Sequence, residues 1–324
     1  MGADRCTIRS TLSGSCWAPA AHRWFTDVMD HLDELRSRIA RLSAASPHPV
    51  RIEGMTVFST PRATEPLGTL SEPVFALVAQ GAKRSVLGDY IFDYHAGQYL
   101  IVTVDLPLTS QITQATPTEP FLAFGLPLQS ALVAQLLLET GPSVARRHDG
   151  PGIATGDADD KLLDPVVRLL RLLDEPRDVP VLAPGLRREI HWRLLNGPQG
   201  ALVRQIGLDN SQCALVARAI GWIENHYDRV MRIDELAKHV GMSVASLNRR
   251  FRAVTGMSPL QYQKQLRLQK ARIQLIAAPH DVAAVGYAVG YRNPSQFSRE
   301  YRRMFGAPPG QHAARLQTVT TIED

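Results

Sequence analysis

Residues 236–259 read LAKHVGMSVASLNRRFRAVTGMSP, and residues 285–309 read VGYAVGYRNPSQFSREYRRMFGAPP. The second segment repeats the pattern of the first. Leu247, Arg249, Phe251, Gly256 and Pro259 each find a like residue 50 positions on, whereas Gly241 and Gly290 are 49 apart. The second turn therefore carries one extra residue. In the first copy Ile233, Leu236, Ala237 and Val240 recur at helical spacing and make one apolar stripe. Gly241 permits a turn, and the Ser243 hydroxyl can cap the next helix by accepting from its unpaired N–H groups. On that next helix Leu247 and Phe251 face a core, which leaves Ala245, Asn248 and Arg249 on a different face. In the second copy Phe297 and Tyr301 are the anchors, and Ser295, Gln296 and Arg299 turn outward. The pattern is two helix-turn-helix units joined by a helix over 259–277, read from the periodicity of Leu260, Tyr262, Leu266, Leu268, Ile273 and Leu275.

The outward residues are of the kind that read base edges: Arg pairs with guanine, Asn or Gln with adenine, and Ala245 can meet a thymine methyl. Ser243, Arg250, Arg252, Arg292 and Arg302 are candidate contacts to phosphate. The connecting helix spans about 25–30 Å at ~1.5 Å per residue. That length could set two recognition helices near one turn of duplex, about 34 Å, apart on one face of DNA. Charge is distributed to match. Residues 213–317 hold 16 Lys and Arg against 6 Asp and Glu, and the rest of the chain holds 20 against 25. The formal +5 thus divides into an acidic body and a basic tail of the sort a phosphate backbone selects. A helical bundle with a purely structural repeat is the bland alternative, and the charge on the outward faces argues against it.

These residues resemble the DNA-binding domain of the AraC/XylS family of bacterial transcription regulators, over roughly 220–312. Both helix-turn-helix units and the closing Gly306, Ala307, Pro308 and Pro309 carry the resemblance. It implies that Ala245, Asn248 and Arg249, with Ser295, Gln296 and Arg299, enter the major groove, that double-stranded DNA is the partner, and that RNA polymerase is engaged. Gly286 departs from the family, which usually has Ala there, at a cost of up to about 1 kcal/mol in helix propensity. Ala245 is shorter than the side chain many relatives place there, so the first unit is expected to specify less sequence than the second.

Upstream, a chain of 324 residues with 44% hydrophobic content has room for two or three cored domains. No apolar run approaches the 18 or so residues of a membrane span. The first 25 residues form no signal-peptide core, so cytoplasmic residence is expected. Cys6, Cys16 and Cys213 are widely spread and odd in number, which suits a reducing compartment. Cys213 reads as an inert thiol by default, with a redox sensor as the alternative. Residues 1–22 look poorly ordered, and 22–42 have a helical pattern. From 50 to 128 the signal changes to short strands, at 56–59, 74–80, 84–94, 99–104, 110–115 and 121–126, which predicts a sandwich or barrel able to hold a ligand in its mouth. The middle, 129–210, reads as helical, with segments at 131–139, 162–173, 184–195 and 200–206. Residues 146–160 are the expected mobile loop.

The strand region resembles the cupin-like N-terminal domain of one AraC-type subgroup, through Glu72-Pro73, Gln80-Gly81-Ala82-Lys83, Gly97-Gln98-Tyr99-Leu100, Val104-Asp105-Leu106-Pro107 and Glu119-Pro120. In relatives such a domain senses a small molecule or contributes to assembly. Catalytic cupins hold a metal through a cluster of His and carboxylate. Here His95 stands alone beside Gly97 as a turn residue, so no metal, no other cofactor and no catalytic residue are expected. The fold expected is multidomain α+β: a cupin-like β-barrel or sandwich, a helical middle segment and an all-α domain with two helix-turn-helix units. The boundaries are 1–22 disordered, 23–128 effector domain, 129–212 helical linker or dimerisation region, 213–317 DNA-binding domain and 318–324 tail. The function expected is a sequence-specific transcription regulator, not an enzyme, under a small-molecule effector and able to form a homodimer. Two alternatives are a cupin-type enzyme tethered to DNA, which lacks any catalytic constellation, and a constitutive regulator whose barrel only dimerises.

Overall fold

The computed structural model describes residues 18–44, 52–140, 148–277 and 281–320. Helix α1 (Ala18–Ala44) buries Leu32, Leu35 and Ile39, one side of an amphipathic helix. Residues 18–22, expected to be poorly ordered, are its first turns, and residues 1–17 lie outside the described residues. Eight strands follow: β1 (Thr56–Thr60), β2 (Leu67–Ser71), β3 (Val74–Gln80), β4 (Ala82–Leu87), β5 (Tyr90–His95), β6 (Gln98–Val102), β7 (Leu106–Gln114) and β8 (Phe121–Pro127). Next come α2 (Ser130–Thr140), β9 (Ile153–Asp157), α3 (Asp160–Arg171), α4 (Val179–Asn196) and α5 (Gly200–Arg204). The nine strands form two antiparallel sheets, ordered β1-β8-β3-β6-β9 and β2-β7-β4-β5.

Residues that face the space between the sheets alternate along each strand. On β4, Ser85 and Leu87 are buried, and Lys83 shares their side. Opposite them on β7 stand Ser110 and Ile112, and on β5 Tyr94 pairs with Lys83. Ser85 Oγ is 3.2 Å from the Tyr94 hydroxyl and 3.1 Å from Ser110 Oγ, so these three hydroxyls satisfy one another. Helix α1 lies across the five-stranded sheet and is tied to α3. Glu34 accepts from Arg171 at 2.5 and 2.8 Å and from Arg38 at 2.7 Å, and Arg38 and Arg41 both reach Asp174.

Expectations change at three further places in the body. The stretch 84–94 is not one strand: it turns back at Gly88, whose φ of +57° is left-handed. Residues 153–157, expected within a mobile loop in an all-helical segment, are the edge strand β9, paired with β6 from Gln98↔Asp157 to Val102↔Ile153. Its Gly156 is the reason it fits, because a Cβ there would press into the Tyr99 ring. Helix α4 begins at Val179, ahead of the expected start at Pro184, which sits inside it. Pro180 in the first turn starts the helix, and Pro184 forgoes one bond, that to the Pro180 carbonyl.

The C-terminal part comprises α6 (Gln212–Asn225), α7 (Ile233–His239), α8 (Val244–Thr255), α9 (Pro259–Ala277), α10 (Val282–Ala288), α11 (Pro294–Phe305) and α12 (Pro309–Thr320). Helix α12 therefore continues past the expected end at 317. Along α9, Tyr262, Leu266, Leu268 and Leu275 are buried, whereas Leu260 and Ile273 are exposed. The buried apolar residues fall into two groups. One runs without interruption from Leu32 through the sandwich and middle helices to Leu247, Phe251 and Leu266. The other, with Leu268 and Leu275 of α9 and Val285, Phe297 and Tyr301, belongs to the second helix-turn-helix unit and the helices flanking it, and Tyr227 packs against both groups. Among the described residues, only the first unit shares the core of the body.

Candidate nucleic-acid interface

Each helix-turn-helix unit is built by the same local bonds. After α7 the chain turns at Gly241 (φ +68°), with the Met242 N–H donating to the Ala237 carbonyl at 2.9 Å. After α10 it turns at Gly290 (φ +89°), with the Tyr291 N–H donating to the Gly286 carbonyl at 3.0 Å. These are bonds from beyond the helix end to its last free carbonyls, which a left-handed glycine makes accessible. The second turn spends its extra residue before the cap. Ser243 Oγ accepts from the Ser246 N–H, while Asn293 Oδ1 accepts from both Ser295 and Gln296. Helices α8 and α11 then end alike, Gly256 donating to Arg252 and Gly306 to Arg302, both at 2.8 Å.

Leu247 and Phe251 of α8, and Phe297 and Tyr301 of α11, are fully buried. That burial fixes the rotation of each helix, so the expected readers take up the opposite side. Ala245, Arg249, Ser295 and Arg299 are exposed, and Asn248 and Gln296 are half-buried. Asn248 Nδ2 donates to the Val244 carbonyl at 3.0 Å, and Gln296 Nε2 to Glu300 at 3.1 Å. Both amides would have to rotate away from these partners to reach adenine. Among the phosphate candidates, Arg252, Arg292 and Arg302 are exposed, and Arg250 is half-buried toward the body. Ser243 Oγ caps α8, and its hydrogen meets no acceptor among the described residues.

Two residues outside the expected set hold the second unit in place. Arg267 of α9 donates to the carbonyls of Tyr227, Arg229 and Gly290 at 2.5, 2.7 and 3.0 Å, and lies 5.9 Å from the centre of the Tyr291 ring. Glu300 accepts from Gln296, from the Tyr291 hydroxyl at 2.8 Å and from Lys264 at 3.2 Å. Burial pushes the Glu300 carboxyl up, but these three hydrogen bonds outweigh it and hold the carboxyl below its ordinary value. The only hint in the sequence is that Glu300 is the one acid in the basic helix α11. Partners on α9 and at the turn depend on the tertiary fold.

Besides the shared apolar core, hydrogen bonds to backbone carbonyls join the DNA-binding part to the body. The Gly152 N–H donates to the Val254 carbonyl at 2.9 Å, and the Tyr262 hydroxyl donates to the Asp105 carbonyl at 3.0 Å. Gly88 and Gly256 meet so closely that a Cβ on Gly88 would lie 2.8 Å from the Gly256 carbonyl oxygen. A second contact lies at the mouth of the sandwich. There a cleft of about 430 Å³ is lined by Phe58, Leu67, Lys83 and Ile112 from the strands and is closed by Phe305 and His312 of the second unit. Burial lowers the Lys83 ammonium below its ordinary pKa, and no described acid pairs with it. Cys213 is fully buried beside Thr103, and burial pushes its thiol up to about 11, as an inert thiol requires.

Paired helix-turn-helix units with outward arginines, mounted on a two-sheet sandwich, define a DNA-binding protein with an N-terminal β domain. Comparison with known proteins agrees. Residues 51–202 match the AraC-type transcriptional regulator N-terminus, and residues 236–315 match a helix-turn-helix domain. The regulatory protein SoxS of Escherichia coli K12 is 33% identical over 102 residues, which cover 32% of this chain and 95% of SoxS. The transcriptional activator RhaS of Yersinia pestis bv. Antiqua is 26% identical over 183 residues, 56% of this chain and 66% of RhaS. Among solved structures, ToxT of Vibrio cholerae bound to an unsaturated fatty acid superposes with a TM-score of 0.55 at 10% identity, covering 80% of this chain and 94% of ToxT. The chain belongs to the AraC/XylS family of transcription regulators and carries that family's AraC-type N-terminal domain. Among the described residues, no helix is long and apolar enough to cross a membrane.

Proposed function

We propose that this regulator reads a specific operator in the cytoplasm with two adjacent major-groove helices and acts by binding, without turnover. Arg249 and Arg299 pair with guanine, Asn248 and Gln296 with adenine, and Ala245 and Ser295 lie against the groove edge. Ser243, Arg250, Arg252, Arg292 and Arg302 fix phosphates. The observation that carries this assignment is the repeated outward face: Arg249, Arg252, Arg292, Arg299 and Arg302 are exposed and have no partner among the described residues. Such guanidinium groups keep all their donors for a nucleic acid. Engagement of RNA polymerase and self-pairing of the chain belong to the same reading and rest on family membership, as does the absence of an enzymatic role, since RhaS and SoxS are regulators.

ToxT binds an unsaturated fatty acid, and we carry that chemistry to the sandwich mouth. An amphiphile with an apolar body and one negative charge suits a cleft lined by Phe58, Leu67, Ile112 and Phe305 together with Lys83, which no acid pairs among the described residues, Glu65 of the same lining included. Because Phe305 and His312 close this cleft, its occupant bears directly on the placement of the second unit.

Arg299→Ala tests the base-reading assignment. It is expected to weaken operator binding by about 1–3 kcal/mol and to relax preference at one base pair. Arg302→Ala is expected to weaken operator and random DNA alike and to lower the salt slope by about 1. If both variants lose equally on both DNAs, the division of roles is wrong.

A further inference from the structure

A second cleft, of about 500 Å³, lies where the first recognition helix meets the body, and three arginines from two elements line it. Arg204 of α5 comes from the body, and Arg249 and Arg250 come from α8. All three guanidinium groups lack a hydrogen-bond or ion-pair partner among the described residues. Elsewhere in the body, Arg38, Arg168 and Arg171 are paired with carboxylates. The beginning of α6, at Ser211 and Gln212, lines the same space, but its Cys213 and Ala214 N–H groups are taken by Gln205 Oε1 and Ser211 Oγ, so the arginines carry the charge of the site. Among the described residues Asp149 is the one acid on the rim, and it forms no ion pair with these arginines. Gln205 and His148 brace the wall, the Gln205 amide donating to the His148 carbonyl at 2.5 Å and accepting from the Cys213 N–H at 3.1 Å.

We infer that this cleft binds a small, multiply charged anion of the phosphoryl type, which bridges Arg204 of the body to Arg249 and Arg250 of the recognition helix. Guanidinium forks match phosphate oxygens bidentately, and three of them around one space of this volume suit a ligand between pyrophosphate and a nucleotide in size. The bridge engages Arg249, which the base-reading assignment gives to DNA. Anion and operator therefore compete for one side chain, and the anion acts as an antagonist independent of the sandwich mouth. The inference rests on the groove-facing role of Arg249 only for this competition. Binding of the anion itself is measured without DNA.

The test uses the full chain and inorganic pyrophosphate at constant ionic strength. Calorimetric titration of the DNA-free protein is expected to show one site, lost in Arg204→Met and largely lost in Arg204→Lys, which keeps the charge without the fork. In an operator-binding assay, pyrophosphate at ten times its own dissociation constant is expected to raise the apparent Kd of the wild type about tenfold. Arg204→Met is expected to remove that effect, and Arg302→Ala to retain it on a weaker baseline. Each variant is read after its melting transition has been matched to that of the wild type. Absence of a calorimetric site in the wild type, or an undiminished site in both Arg204 variants, overturns the proposal. A calorimetric site without any effect on operator binding leaves the anion site standing and overturns the assignment of Arg249 to DNA. A lowered salt slope for Arg204→Met in the absence of pyrophosphate makes Arg204 a DNA phosphate contact and overturns the anion bridge.

Discussion

The two turn glycines offer a paired experiment, because they occupy equivalent positions in the two units but unlike surroundings. Both have left-handed φ, +68° at Gly241 and +89° at Gly290. An alanine pays about 1–2 kcal/mol for that conformation and recovers about 0.4–1 kcal/mol by stiffening the unfolded chain. Nothing lies within 4 Å of a Cβ at Gly241, so Gly241→Ala is expected to cost about 1 kcal/mol. At Gly290 the added carbon would overlap the Asp228 carbonyl oxygen and come within 2.7 Å of its carbon and 2.9 Å of Arg267 Nη2. The obstacle is backbone and the arginine that braces it, so overpacking adds about 1–3 kcal/mol and the total reaches about 2–4 kcal/mol. The loss should be local, since the second unit has its own apolar cluster while the first shares the core of the body. Gly290→Ala is expected to give an early, separate unfolding transition and to erase footprinting protection on the half of the operator bound by α11. Gly241→Ala should melt nearly as the wild type. Equal costs for the two variants, or a single transition for Gly290→Ala with the whole footprint weakened, would refute both the steric argument and the separation of cores.

Other outcomes follow from particular side chains. The Arg171 hydrogen bond, aided by Arg38, holds the Glu34 carboxyl at about 2 against the opposing effect of burial. A depressed carboxyl contributes stability that is complete above the ordinary pKa near 4.5 and is lost as pH falls toward 2. Melting temperature against pH should therefore fall through this window, and less steeply in Glu34→Gln. Gly286→Ala gains up to about 1 kcal/mol of helix propensity but places a Cβ 3.0 Å from the Phe297 ring, so its denaturation midpoint should stay close to that of the wild type. With Cys6 and Cys16 replaced by Ser, a thiol reagent at pH 8 should label Cys213 only on unfolding, and prompt labelling of the folded protein would restore the redox-sensor reading. Lys83→Met should abolish any thermal stabilisation by submicellar oleate, and a shift equal to the wild type would move the effector elsewhere.

Much of the DNA-binding part was legible because its determinants are local. The Gly241 and Gly290 turns, the Ser243 cap and the Leu247–Phe251 and Phe297–Tyr301 anchors all act within about one helical turn of themselves. Spacing in the chain therefore fixes their geometry, and the duplication supplies an internal check. The family resemblance and the two-sheet domain were legible for the same reason, since alternation along a strand also shows within a few residues. What lay beyond the sequence depends on pairings between distant segments. Strand β9 hides behind two glycines and becomes a strand only because β6 offers an open edge. Leu260 and Ile273 have the right period for burial and yet face outward. Glu300, Arg267 and Lys83 owe their roles to partners or neighbours contributed by other elements. Above all, the union of the first unit with the body's core, and the meeting of Arg204 with Arg249 and Arg250, depend on how two surfaces dock. Periodicity reports which face of an element is apolar; only packing decides what that face, and the charges at its rim, will meet.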